Sequence, residues 1–153
     1  MLPEAAMRRT SLNDADCPIA RALDAVGDWW SLLIVRDAMF GLRRFGEFQK
    51  SLGMAKNILT ARLRGLVAAG ILEAVPAGDG SAYKDYVLTQ KGRDLFTVLV
   101  ALRQWGELHQ FPDSACRVEL LDRDQGKPVR PLELHAADGR LLSSADTTIR
   151  VRD

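Results

Sequence analysis

Apolar residues recur at helical spacing through residues 17–110 of this chain, then give way to short alternating runs. The stretch "DCPIARALDAVGD" predicts a first helix. Asp16 or Cys17 caps it, and Pro18 occupies the first turn, where a missing N–H costs nothing. Ile19, Ala22, Leu23 and Val26 share one apolar face. Gly27 ends this helix, and Asp28 can cap a second, "WWSLLIVRDAMFG", which is apolar nearly all round, as the centre of a core requires. "RRFGEFQKSLG" predicts a short third helix with Phe45, Phe48 and Leu52 inward and Gly53 as the break.

A fourth helix follows, to about Ala69, with Leu59, Leu63, Leu66 and Val67 as its apolar stripe. At about 100° per residue, Asn57, Ala61 and Arg64 fall on the opposite side and Thr60 on the flank. "ILEAVP" and "YKDYVL" predict a two-stranded hairpin around "AGDGSA". Thr89 can cap one long helix, "QKGRDLFTVLVALRQWGELHQ", with Leu95, Phe96, Leu99, Leu102 and Trp105 inward, and "FPDS" breaks it. Beyond Cys116, "CRVELL", "PVRPLEL", "RLLS" and "TTIRV" predict short strands, with Asp-Gly favouring a tight turn.

The expected organisation is a flexible tail over 1–16, a folded domain over 17–112 and a small β-rich appendage over 113–153. The fold class is mainly α with a small β component. A short helix, a glycine turn, a helix with an open polar face and a two-stranded hairpin make a winged helix-turn-helix, whose second helix enters the DNA major groove. The three-helix core and hairpin wing are flanked by further helices.

Charge sharpens this picture. Net charge over the 153 residues is only +1, but Arg43, Arg44, Lys50, Lys56, Arg62 and Arg64 face a single anion, Glu47, between positions 43 and 64. Such a local excess suits a polyanion, here double-stranded DNA. On the fourth helix, Asn57 and Arg64 can pair with adenine and guanine edges, and Thr60 or Ala61 can touch a thymine methyl. Arg43, Arg44 and Lys56 are placed for phosphates, which position without specifying. Asp79 and Gly80 at the hairpin tip, with Lys84 on the second strand, form the wing.

Composition excludes other classes. No apolar run is long enough to span a bilayer, and the N-terminal stretch has no apolar signal core, so a cytoplasmic protein is expected. Two cysteines make no disulfide framework. No Ser-His-Asp order, carboxylate pair or phosphate loop appears, so neither an enzyme nor a cofactor is expected.

The runs "CPIARAL", "GDWW" with "LLI", "RRF" with Glu47, "LTARL" and "LTQKG", in this order, strongly resemble the HxlR-type transcriptional regulators, bacterial winged-helix proteins related to the MarR group. The resemblance spans about residues 17–110. It implies a homodimer on a palindromic operator, paired through the first and last helices, with Ile19, Leu23, Leu102 and Trp105 at the seam; repression by operator occlusion is the simpler mechanism. Three positions depart from the family pattern: Ala55 stands at the recognition-helix cap in place of Ser, Trp29 in place of a basic residue, and Asp79 makes the wing tip acidic. The appendage resembles a degenerate zinc ribbon, with Gln125 and Asp138 where cysteines would stand and His135 where another ligand would. Together with Cys116 these make no recognisable four-ligand spacing, so no metal is expected.

A helix N-terminus favours thiolate over thiol. Cys17 is therefore a candidate redox sensor, by way of which an oxidant or another small molecule acts as effector, against the plainer reading of a structural helix start. The alternative function from another class is a winged-helix protein-interaction or small-molecule-sensing module without operator binding.

Overall fold

The first two helices begin differently, the first without a side-chain cap and the second with one. The computed structural model describes residues 11–111 and 116–153. Helix α1 (Pro18–Val26) starts at Cys17, whose carbonyl accepts the first helical bond from Arg21 N–H at 3.1 Å. Helix α2 (Trp29–Met39) is capped by Asp28, which accepts from Ser31 N–H at 2.9 Å and from the Ser31 hydroxyl at 2.6 Å. Helices α3 (Phe45–Leu52) and α4 (Lys56–Ala68) follow, then strands β1 (Leu72–Pro76) and β2 (Lys84–Leu88), paired antiparallel with Leu72 opposite Leu88. Short helix α5 (Gln90–Arg93) and helix α6 (Phe96–His109) complete this part.

Two compact units emerge, Met1–Leu99 and Val100–Asp153, so the division falls inside α6. In the first, α2 is central and packs on α1, α3, α4 and β2. Ile34, Val35, Phe48, Leu59, Leu63, Leu66, Ile71 and Leu72 are buried there, the largest part of the core. Full burial of such side chains supplies roughly 1.5–3 kcal/mol each, offset by the entropy of ordering them. Of the expected α1 face only Val26 is buried, while Ile19 and Leu23 are exposed. Val67 also departs from the expected α4 stripe and is exposed, because it lies a quarter-turn from the buried line through Leu59, Leu63 and Leu66.

The long helix expected after Thr89 is two helices. Thr89 does cap, accepting from Gly92 N–H at 3.1 Å, but Leu95 N–H turns back to Gly92 O at 3.1 Å and the run breaks at Asp94–Leu95. The cause is tertiary. Thr89 N–H donates to Ile71 O and Lys91 Nζ to Ala69 O, which tie α5 to the end of α4 and the start of the hairpin. Gly92 lies so close to Ile71 O that a Cβ there would come within 2.2 Å of it. Phe96, Leu102 and Trp105, expected inward on α6, are exposed, whereas Leu95 and Leu99 pack against the core.

Residues 11–16, expected to be loose, are hydrogen-bonded to α1: Leu12 N–H donates to Asp24 Oδ1 at 2.9 Å and Ser11 Oγ to Asp24 Oδ2 at 3.3 Å. The rest of that tail, 1–10, and the break expected at "PDS" lie outside the described residues.

In the second unit Val100 is buried, Gln104 Nε2 donates to Arg130 O at 3.2 Å, and Leu132 N–H donates to Gln104 Oε1 at 2.8 Å. The four strands expected in the appendage reduce to one two-residue pair, β3 (Leu134–His135) with β4 (Leu141–Leu142), and a single bridge between Leu121 and Pro128. Turns replace the rest. Gly126 N–H bonds Asp122 O at 2.8 Å and Gly139 N–H bonds Ala136 O at 2.9 Å, each glycine at positive φ. His135 has both ring nitrogens engaged, with Gly139 O and a Glu133 carboxylate oxygen, each at 3.0 Å. Among the described residues no group of three or more His, Cys, Asp or Glu gathers to hold a metal.

Candidate nucleic-acid interface

Gly53, at φ 64°, closes α3 in the left-handed conformation, and its N–H bonds Gln49 O at 2.9 Å. Met54 is buried at the turn, and α4 begins after Ala55. A short helix, a tight glycine turn and a second helix are thereby fixed to one core. Ala55 offers no side-chain acceptor, so the first turn of α4 has no side-chain cap. Its free N–H groups and Lys56 make that end electropositive.

Burial separates the faces of α4. Leu59, Leu63 and Leu66 point into the core, and Asn57, Ala61 and Arg64 are exposed on the other side. The helix "KNILTARLRGLVA" contains three cations and no acid. Lys56 is exposed at its entry. Thr60 is half-buried and its hydroxyl donates to Lys56 O at 2.8 Å. That back-bond occupies the donor, which narrows the expected role of Thr60 to its methyl group and an acceptor lone pair. Arg62 turns toward the packing side, with Nε 3.4 Å from Asp28 Oδ1. Asp28 therefore joins the start of α2 to the middle of α4.

The loop before α3 is built into the wing. Tyr86 N–H on β2 donates to Arg43 O at 2.7 Å. Glu47, three residues into α3, accepts from Arg43 N–H at 2.7 Å and Arg44 N–H at 3.0 Å. These two backbone donors hold the Glu47 carboxyl below the usual carboxylate range. Arg43 remains exposed, as a phosphate contact requires.

Arg44, expected to be free for a phosphate, is engaged within the chain. Its guanidinium is ion-paired with Asp79 at the wing tip, with Asp85 on β2 at 3.4 Å, and lies 5.7 Å from the Tyr83 ring centroid. The positive charge expected to be free for phosphate is instead answered from the hairpin. Asp85 and Tyr83 did not stand out in the sequence; the one available signal was an acidic residue inside an otherwise strand-like "KDYVL". Asp79 is held further by Ser81. The Ser81 N–H donates to Asp79 Oδ1 at 3.0 Å, and together with the Arg44 guanidinium it keeps the carboxyl well below the usual range. Gly80, at φ 74°, turns the tip, and Lys84 is exposed at the start of β2.

The other predicted residues are placed as follows. Cys17 is exposed at the start of α1, and Cys116 is half-buried with Sγ 3.5 Å from Val118 O. Ile19, Leu23, Leu102 and Trp105 are exposed. Among the described residues no helix is long and apolar enough to cross a membrane.

A glycine-turned helix pair with an acid-free outer helix, backed by a two-stranded wing, defines a winged helix-turn-helix transcriptional regulator. Residues 25–114 match the family model of the HxlR-like helix-turn-helix, and the chain belongs to that family. It is 41% identical over 128 residues to the uncharacterized HTH-type transcriptional regulator Rv3095 of Mycobacterium tuberculosis, covering 81% of this chain and 73% of that one. The solved structure of PA1607, a proposed transcription factor, is similar with 57% identity and a TM-score of 0.89 over 94% of this chain and all of that one. PA1374 of Pseudomonas aeruginosa, also a proposed transcription factor, shares 46% identity at a TM-score of 0.63, covering 89% of this chain and 92% of that one. The redox regulator HypR in its reduced form is 28% identical, with a TM-score of 0.57 over 61% of this chain and 94% of that one. The protein is thus a DNA-binding transcriptional regulator and not an enzyme.

Proposed function

We propose that the chain acts in the cytoplasm as a homodimeric repressor that reads a near-palindromic operator with one α4 helix from each subunit. The observation that carries this is the split of α4. A fully buried leucine line faces the core, and the opposite side presents Asn57, Ala61 and Arg64 with no acid among them. Asn57 and Arg64 make base contacts, Ala61 meets a thymine methyl, and Arg43 and Lys56 hold phosphates. The exposed Ile19 and Leu23 on α1, and Leu102 and Trp105 on α6, supply apolar surface for pairing two subunits. Two reader helices then sit about 34 Å apart, one turn of DNA. Repression follows from occupying DNA that polymerase needs.

Selection of bound sites from random duplex DNA tests the reading. Near-palindromes should emerge. Asn57→Ala and Arg64→Ala should each weaken the selected site by about 1–3 kcal/mol and relax choice at single base pairs. Variants that bind it like the parent remove α4 as the reader. Light scattering at micromolar concentration should give a dimer, and Trp105→Asp a monomer with weakened operator binding.

A second reading concerns the signal. Cys17 is an exposed thiol at a helix start, and HypR, a redox regulator, has a similar fold. If oxidation of Cys17 alters α1, operator affinity should fall after mild peroxide in the parent and not in Cys17→Ser. Equal affinities throughout leave Cys17 as a structural helix start.

A further inference from the structure

Arg44 stands at the start of α3, the helix preceding the proposed reader. It is already ion-paired. We propose that Asp79 is a built-in competitor for the phosphate that Arg44 binds, so that the acidic wing tip lowers affinity for DNA of any sequence. The inference rests on the docking of α3 and α4 described above.

The two carboxylates at Arg44 are not equivalent. The Asp85 side chain is only 12% exposed and sits on the β2 strand, fixed by its ladder to β1. The Asp79 side chain is 51% exposed and sits at the tip of a turn. An exposed pair of this kind is weak and screened by salt. A guanidinium has five N–H donors in a rigid fork. Arg44 can therefore keep Nε on Asp85, which aims it, while Nη2 exchanges Asp79 for a phosphate oxygen. The exchange moves no proton and makes no covalent bond: one carboxylate leaves a cation and one phosphodiester takes its place.

The surroundings favour a phosphate as the incoming group. Arg44, Lys50, Lys84, Tyr83 and Tyr86 line an open groove of about 810 Å³ between α3 and the wing. Lys50 and Lys84 add two cations to it, and the volume admits a phosphodiester with room to spare. Glu47, the one acid among these lining residues, faces the Arg43 and Arg44 backbone N–H groups. Of the two carboxylates at Arg44, Asp79 is the exposed one and so the one placed to give way.

The test is a cycle of Asp79→Asn, Arg44→Ala and the double variant. Each is titrated with salt on a duplex of arbitrary sequence and on the selected site, with folding confirmed by circular dichroism. Freeing one cation for one phosphate should steepen the salt slope by about one unit and tighten binding about fivefold near 0.15 M salt in Asp79→Asn. The gain should be similar on both duplexes, lowering the specificity ratio little, and should vanish when Arg44 is alanine. A gain that persists in the double variant is a general charge effect and overturns the proposal, as does an unchanged slope in Asp79→Asn. Failure of α4 as reader shows separately, because Asn57→Ala would then leave the selected site unaffected.

Discussion

Among the described glycines, Gly92 has the least room for a side chain. A methyl group there meets Ile71 O at 2.2 Å and Leu88 Cδ2 at 2.9 Å, and the first of these is backbone that its own hydrogen bonds hold. Gly92→Ala should destabilise the fold by about 1–3 kcal/mol or more through overpacking. Thermal unfolding measures it, and a melting point equal to the parent's would show that α5 moves aside freely. Ala55 offers the opposite case. Its backbone is extended, φ −62° and ψ 142°, which suits a cap, and no side chain fills that role. Ala55→Ser should stabilise by about 1 kcal/mol, read as a higher melting temperature. At this scale the sequence is legible where the cause is local. Asp28 and Thr89 are caps because each bonds an N–H three residues on. Arg44 was not legible, because its partners Asp79 and Asp85 are 35 and 41 residues away.

Among the elements, the proposed interface divides into base contacts on α4 and phosphate contacts at Arg43 before α3 and Lys56 at the start of α4. Arg43→Ala and Lys56→Ala should weaken all duplexes alike and flatten the salt slope by about one unit each. Thr60→Val should bind the selected site like the parent, since the hydroxyl donor already serves Lys56 O. A loss in Thr60→Val confined to one base pair would mean that the hydroxyl turns outward on DNA. Periodicity located α3 and α4 because one buried stripe holds each, whereas in α1 only Val26 of the expected face is buried. It failed after Thr89, where the break at Asp94–Leu95 is imposed by bonds to Ile71 and Ala69 that no spacing within the segment records. It failed again in the appendage. There alternating residues suggested strands, yet backbone turns at Gly126 and Gly139 take up the chain and leave one two-residue ladder.

For the molecule as a whole, acid is the revealing stress. Glu47, held by the Arg43 and Arg44 N–H groups, and Asp79, held by Ser81 and Arg44, both ionise more readily folded than unfolded. Depressed folded values contribute stability that is complete above the unfolded carboxylate range, near 4, and is lost as pH falls through the folded values. The melting temperature contributed by these groups should therefore be flat from about pH 6 to 8 and decline below about pH 4. The decline should be shallower in Glu47→Gln combined with Asp79→Asn. An equal decline in that variant would assign acid unfolding to other carboxylates.

The pairing of Arg44 with the wing also has a bearing on time. A regulator finds its site by landing on, sliding along and leaving a vast excess of wrong DNA, and its residence at each wrong stop grows with every phosphate it neutralises. A subunit that answers one of its own cations with Asp79 leaves each wrong stop sooner. Under the competition proposed for Arg44, the search is limited less by lingering and more by encounter, and the acidic wing tip shortens the interval between a vacant operator and an occupied one.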